Sequence, residues 1–186
     1  MPKDQPESFS IDSQTVVYSG RIWDVVQDTF QFADQTLVRD YVLHSGAVAV
    51  VAVDDEGRIL LVNQYRHPVR STLWELPAGL RDLDGEPPVE TAKRELLEET
   101  GYTASTIEPL ISFYPSPGGL SEEIQVFVAT GLKLADSDFV REGEEKTMTA
   151  AFFPLGVVVD SILSGGIKNG PCALAVLAFH AKQARS

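Results

Sequence analysis

EPPVETAKRELLEETGY, residues 86–102, reads as one helix carrying acids where apolar residues belong. Pro87 and Pro88 stand where a helix can start, since proline is tolerated in a first turn. Gly101 stands just past the end, where a left-handed residue closes a helix. With Ala92 at zero and about 100° per residue, Val89, Ala92 and Leu96 fall within about 60° of one another and mark the buried face. Glu99 then falls at about −20°, Glu95 at about −60° and Glu98 at about −120°. These acids sit on or beside the buried edge, not opposite it. Glu95 and Glu99 repel at i,i+4, which costs about 0.2–0.5 kcal/mol. Acids in the last turns also oppose the helix dipole, by about 0.3–1 kcal/mol each. Arg94 reaches Glu98 at i,i+4 and leaves Glu95 and Glu99 with no evident partner. A plain surface helix would turn these acids to water, whereas a half-hidden edge needs cations to hold it.

The surroundings place this helix in a mixed fold. AVAVVAVDD (47–55) is too apolar for a strand solvated on one face; Asp55-Glu56-Gly57 reads as a hairpin turn, and RILLVNQYR (58–66) as the return strand. WELPAGL (74–80) reads as a short strand ending in Pro77-Ala78-Gly79. Further upstream, TVVYSG, IWDVVQDTF and TLVRDYVL are β-prone runs between turn signals at Ser19-Gly20 and Ala33-Asp34-Gln35, a small antiparallel meander. Residues 1–10 are polar and contain proline, which predicts a flexible N-terminus. Downstream, IEPLISFY, IQVFVATGL and TAAFFPL read as strands, and residues 155–163 and 172–184 as helices. The pattern is α+β, with 11–45 as an N-terminal β subdomain and 46–186 as the main domain. No internal repeat or low-complexity tract interrupts it.

Composition narrows the functions. The 186 residues carry a formal net charge of −12, which argues against gripping nucleic-acid backbones. So acidic a surface also repels phosphate-bearing ligands, unless metal cations and a local arginine offset it. The longest apolar run, Ala47 to Val53, is far too short to span a membrane. A single cysteine, Cys172, excludes an internal disulfide, and it opens an apolar helix where core packing is its plain role. Together with a polar N-terminus this points to the cytoplasm. His44, His67 and His180 show no ligand spacing, and the GxxxxGK[ST], GxGxxG, HExxH and GxSxG patterns are absent.

Residues 79–102 resemble the Nudix box, a glycine-led loop–helix whose pattern runs glycine, five residues, Glu, seven residues, then Arg-Glu-apolar-x-Glu-Glu-x-Gly-apolar. Glu86, the seven residues after it, and Arg94-Glu95-Leu96-Leu97-Glu98-Glu99-Thr100-Gly101-Tyr102 match at every fixed position. The departure is in the loop, where six residues separate Gly79 from Glu86. Either the loop is one residue longer, or Gly85 does the turning. Outside the box, Gln64-Tyr65-Arg66, Glu75-Leu76-Pro77-Ala78-Gly79 and Ser116-Pro117-Gly118 are similar to the ADP-ribose pyrophosphatase branch of the Nudix hydrolases.

That resemblance implies a Nudix fold, a mixed β-sheet sandwiched between helices, with the N-terminal sheet serving dimerisation and the adenine side. It implies hydrolysis of ADP-ribose to AMP and ribose 5-phosphate. The alternatives are other nucleotides (nucleotide sugars, dinucleoside polyphosphates, damaged nucleoside triphosphates) or a non-catalytic ADP-ribose-binding module. Glu95, Glu99 and the Ala78 carbonyl are implied as ligands for two or three Mg²⁺ ions, Mn²⁺ being possible. Hard oxygen donors suit both metals. Glu98 is implied as a further ligand or catalytic support, and Gly79, Glu86, Arg94 and Gly101 as the frame of the box. On the substrate, Arg66 falls on the diphosphate, Glu75 is a further substrate contact, Arg39 and Asp40 fall near adenine, and Pro117 and Gly118 lie in the selecting loop. A downstream acid, Glu145 first and Glu144 second, is implied as the base. The partners implied are a small nucleotide and a second copy of the chain, with no nucleic acid and no membrane.

Overall fold

A computed structural model of the protein describes residues 1–135 and 147–185. It divides into two units, Met1–Ser45 with Ser116–Glu122, and Gly46–Pro115 with Glu123–Ser186. In the first unit, β1 (Ile11–Ser19), β2 (Asp24–Phe32) and β3 (Gln35–Leu43) pair antiparallel in chain order. The Gly20 N–H donates to the Trp23 carbonyl at 3.0 Å, and any side chain at Gly20 would collide with that oxygen. Asp28, nearly buried in the middle strand, accepts from Gln14 Nε2 at 2.8 Å and from the Tyr41 hydroxyl at 3.0 Å, so its carboxylate is satisfied across all three strands. Residues 1–10 form neither helix nor strand, and the Phe9 ring rests 4.9 Å from that of Phe32. The His44 side chain is buried, stacked on Trp23 at 5.7 Å, with Glu122 at 3.6 Å. Segment 116–122 is tied to the end of β3 by the Val42 N–H on the Gly119 carbonyl, 3.0 Å, and the Ser121 N–H on the Val42 carbonyl, 3.1 Å.

The second unit holds two sheets. One has the order β7 (Ala78–Leu80), β4 (Ala47–Ala52), β9 (Ile124–Leu134), β8 (Tyr102–Phe113); the other β10 (Thr149–Pro154), β5 (Arg58–Arg66), β6 (Ser71–Glu75). β4 and β9 run parallel and the other neighbours antiparallel. Every residue of β4 is buried, and its alternation decides the layers. Ala47, Ala49 and Val51 join Ile59, Leu61 and Val126 against α2 (Leu155–Leu163) and α3 (Gly170–Gln183), through Val158, Cys172, Ala175 and Val176. Val48, Val50 and Ala52 join Leu60 and Phe127 against Ala92 and Leu96 of α1 (Pro88–Thr100). A strand covered on both faces is apolar at every position, which is the pattern of Ala47–Val53. The fold is α+β with helices on both faces, as expected. Among the described residues no helix is long and apolar enough to cross a membrane.

Two local expectations are corrected. The turn at Asp55-Glu56-Gly57 forms, with Gly57 at φ 74° and Asp54 Oδ1 accepting the Glu56 and Arg58 amides. Yet among the described residues β4 and β5 share no ladder beyond the isolated bridge Val53–Ile59, and they enter different sheets. Distant partners decide this: both edges of β4 are taken by β7 and β9, and β5 lies between β10 and β6. WELPAGL is not one strand but two, β6 ending at Glu75 and β7 beginning at Ala78. Pro77 lacks the N–H a ladder needs; its carbonyl instead accepts the Val50 amide at 2.8 Å.

Candidate active site

The site grows from α1 and the strand it packs on. Pro87 is extended before the helix, and Gly101, at φ 76°, closes it by donating its N–H to the Leu97 carbonyl at 2.8 Å. Gly85 takes φ 77° and supplies the loop's turn, which settles the choice between the two glycines. Gly79 lies instead in β7, where an added Cβ would land on the Glu95 carboxylate. Its lack of a side chain lets that acid lie flat on the strand.

Burial of the acids follows the helical wheel. Glu99 is 5% exposed, and the side chains of Glu95 and Glu98 are 12% and 30% exposed. Glu99 Oε2 accepts the Ala78 N–H at 3.0 Å. Glu95 and Glu99 thus clamp two consecutive residues of β7. Arg94 is the hub beside them. Its Nη1 lies 2.6 Å from Glu95 Oε1 and 3.3 Å from Glu98 Oε2, its Nη2 3.2 Å from Glu86 Oε2, and Asp82 follows at 3.9 Å. The hydrogen bond to Glu86, then the charges of Glu95 and Glu86, hold this guanidinium above the ordinary arginine value. Arg94, through hydrogen bonding, and Thr91 after it hold the Glu86 carboxyl below the usual carboxylate range. The sequence reading gave Arg94 to Glu98 and left Glu95 and Glu99 without partners. In the structure Arg94 serves Glu95 and Glu86 as well, and a backbone amide serves Glu99.

This arrangement fits a divalent cation. Carboxylates of Glu95, Glu98 and Glu99 on one edge of α1, with the Ala78 carbonyl of β7, are hard oxygen donors. The missing side chain at Gly79 is what lets the Glu95 carboxylate reach this edge. Among the described residues no group of three or more His, Cys, Asp or Glu converges as a preformed ion cage; Glu95 and Glu98 both pair with Arg94.

A second cluster lies on the β5–β6 pair. Arg66 ends β5, and its Nε and Nη2 grip both oxygens of Glu75, at 3.0, 3.2 and 2.7 Å. The other site residues fall in the first unit or beyond description. On β3, Arg39 donates to the Val38 carbonyl and Asp40 accepts from Gln27. Pro117 and Gly118 lie in a turn closed by the Gly119 and Leu120 amides on the Ser116 carbonyl. Glu144 and Glu145 lie outside the described residues. The sequence reading missed Thr91, which is fully buried and donates to Glu86 Oε2 at 2.8 Å. Its signal was available: at about −100° on the wheel it shares the acid edge.

Residues 43–165 match the family model described as the NUDIX domain. The chain is 41% identical over 174 residues to an ADP-ribose pyrophosphatase of Mycobacterium tuberculosis, covering 93% of this chain and 84% of that protein. It is 42% identical over 132 residues to an ADP-ribose pyrophosphatase of Bacillus subtilis, covering 68% of this chain and 71% of that one. Its fold is shared with the crystal structure of an ADP compounds hydrolase, with a TM-score of 0.78, 20% sequence identity and 96% of each chain covered.

Proposed function

The chain belongs to the Nudix family, and from that membership we infer that it hydrolyses the diphosphate bond of ADP-ribose, giving AMP and ribose 5-phosphate. The observation that carries this reading is the clamp on β7, where Glu99 holds the Ala78 amide and Glu95 covers Gly79. An acid pair set on adjacent backbone units is suited to a hard cation that in turn holds a diphosphate. Magnesium, with manganese as a substitute, is the proposed cofactor, in two or three ions held by Glu95, Glu99 and the Ala78 carbonyl, with Glu98 adjoining. When bound, it offsets the negative charge that builds on the diphosphate oxygens.

The chain's own residues complete the scheme. Arg66 offers a planar donor fork to a diphosphate oxygen. Glu145, or Glu144 after it, takes the proton of the attacking water as its oxygen bonds to phosphorus and the bridging oxygen leaves. Glu86, Arg94, Gly79 and Gly101 keep the loop and helix in place, and Pro117 and Gly118 shape the selecting loop. Arg39 and Asp40 contact adenine across a homodimer. In this scheme residues 11–45 form the dimerising subdomain, 46–186 the hydrolase domain, and 1–10 a flexible tail. β1 exposes Ile11, Val16, Val17 and Tyr18, apolar side chains that association with a second copy would cover. Cys172, a buried free thiol, is in keeping with a reducing compartment, and we place the protein in the cytoplasm.

Incubation with ADP-ribose and Mg²⁺, followed by chromatography, should yield AMP faster than a panel of nucleotide sugars, dinucleoside polyphosphates and damaged triphosphates is cleaved. No AMP would sink the reading. Glu99→Gln should lower turnover by at least about a hundredfold, beyond what loss of an outer-sphere partner does, with an unchanged circular dichroism spectrum. Sedimentation should give twice the chain mass.

A further inference from the structure

We propose that Glu75 is the positioning residue for Arg66: its buried carboxylate sets the guanidinium fork for the diphosphate, and it touches neither substrate nor metal itself. This rests on the reading of Arg66 as a diphosphate donor, and it gives Glu75 a different part from the substrate contact the family resemblance implies.

The geometry is one-sided. The Glu75 side chain is 5% exposed and that of Arg66 41% exposed, so the carboxylate is the fixed end and the guanidinium the presented one. Both carboxylate oxygens accept from Arg66, which leaves the acid committed to this pair. A bidentate fork fixes the plane of a guanidinium as a single contact does not. The strands prepare it. Arg66 lies opposite Ser71 and Glu75 opposite Val62, an even offset that puts both side chains on one face of the β5–β6 pair. Behind Glu75, the fully buried Cys172 of α3 lies close enough to feel its charge, so the acid is backed by core. Glu75 also precedes Ala78 by three residues, which keeps the anchor within about 11 Å of the backbone that Glu99 clamps.

Two effects of Glu75 on an anionic substrate have opposite signs, which makes the role testable. As a bare charge it repels the diphosphate, so neutralising it should lower KM. As a positioner it holds Arg66 in place, so neutralising or shortening it should raise KM.

The experiment is steady-state hydrolysis of ADP-ribose at saturating Mg²⁺ by Glu75→Gln, Glu75→Asp, Arg66→Ala and the Arg66→Ala/Glu75→Gln double variant. Expected is a loss of about ten- to a hundredfold in kcat/KM for each Glu75 variant, mainly through KM, as misplacement of a binding group gives. In the Arg66→Ala background, Glu75→Gln should then change nothing further. Glu75→Asp keeps the charge and serves if the Gln variant does not fold. A Glu75 variant within about twofold of wild type, one with a lower KM, or one whose loss persists without Arg66 overturns the proposal. Wild-type activity in Arg66→Ala overturns it together with the reading of Arg66, and absence of AMP from the wild type removes the activity itself.

Discussion

Gly79 and Gly101 serve the same helix in different ways, and substitution separates them. A methyl at Gly79 meets the far end of a flexible side chain, so Glu95 swings aside and the fold survives. Gly79→Ala should therefore leave the melting temperature within a few degrees while turnover falls steeply. Gly101→Ala meets only Leu134 Cδ1 at 3.6 Å but must hold φ 76°. It should cost about 1 kcal/mol by urea unfolding and leave kcat nearly unchanged. The role of Gly101 was legible in sequence, because helix closure is a local rule. That of Gly79 was not, since its reason is a carboxylate sixteen residues away that only packing of α1 on β7 brings over it.

At the scale of the element, α1 is held by one arginine among acids. The folded Glu86 carboxyl titrates below its ordinary value, which is about 4.3 in an unfolded chain. Its contribution to stability is present above that value and is lost as pH falls through the lower folded one. Arg94→Met should thus have a lower urea midpoint than wild type at pH 7, and the gap should narrow as pH drops toward about 3. In α3 the sign reverses. Burial, with the Glu75 charge second, pushes the Cys172 thiol up to about 12. Its contribution is full below the unfolded value of about 8.5 and is lost as pH climbs toward the folded one. The native protein should resist a thiol reagent at pH 8 and react only on unfolding. The wheel ranked the burial of Glu99, Glu95 and Glu98 correctly because helical periodicity is geometric. It missed the reach of Arg94 to Glu86, because that contact needs the loop to fold back on the helix.

For the whole molecule, a net charge of −12 acts on every encounter with an anionic substrate. Salt screens that repulsion, over about 8 Å at physiological strength. With Mg²⁺ saturating, KM for ADP-ribose should fall as monovalent salt rises, the reverse of a basic cleft; a rising KM would show that local cations dominate the approach. That β4 is covered on both faces was readable from its unbroken apolar run. Sheet membership was not: a local turn signal joined β4 to β5, while the partners that separate them, β9 and β10, lie far along the chain.

That separation also bears on synthesis. β4 pairs with β9, Ala47 against Ile124, so six wholly apolar residues emerge from the ribosome long before their neighbour exists. At about 5–20 residues per second the interval is roughly 4–16 s. In that interval only the β7 edge of β4 and its α1 face can be covered, so the edge meant for β9 stays an open apolar ladder until residue 129 has been made.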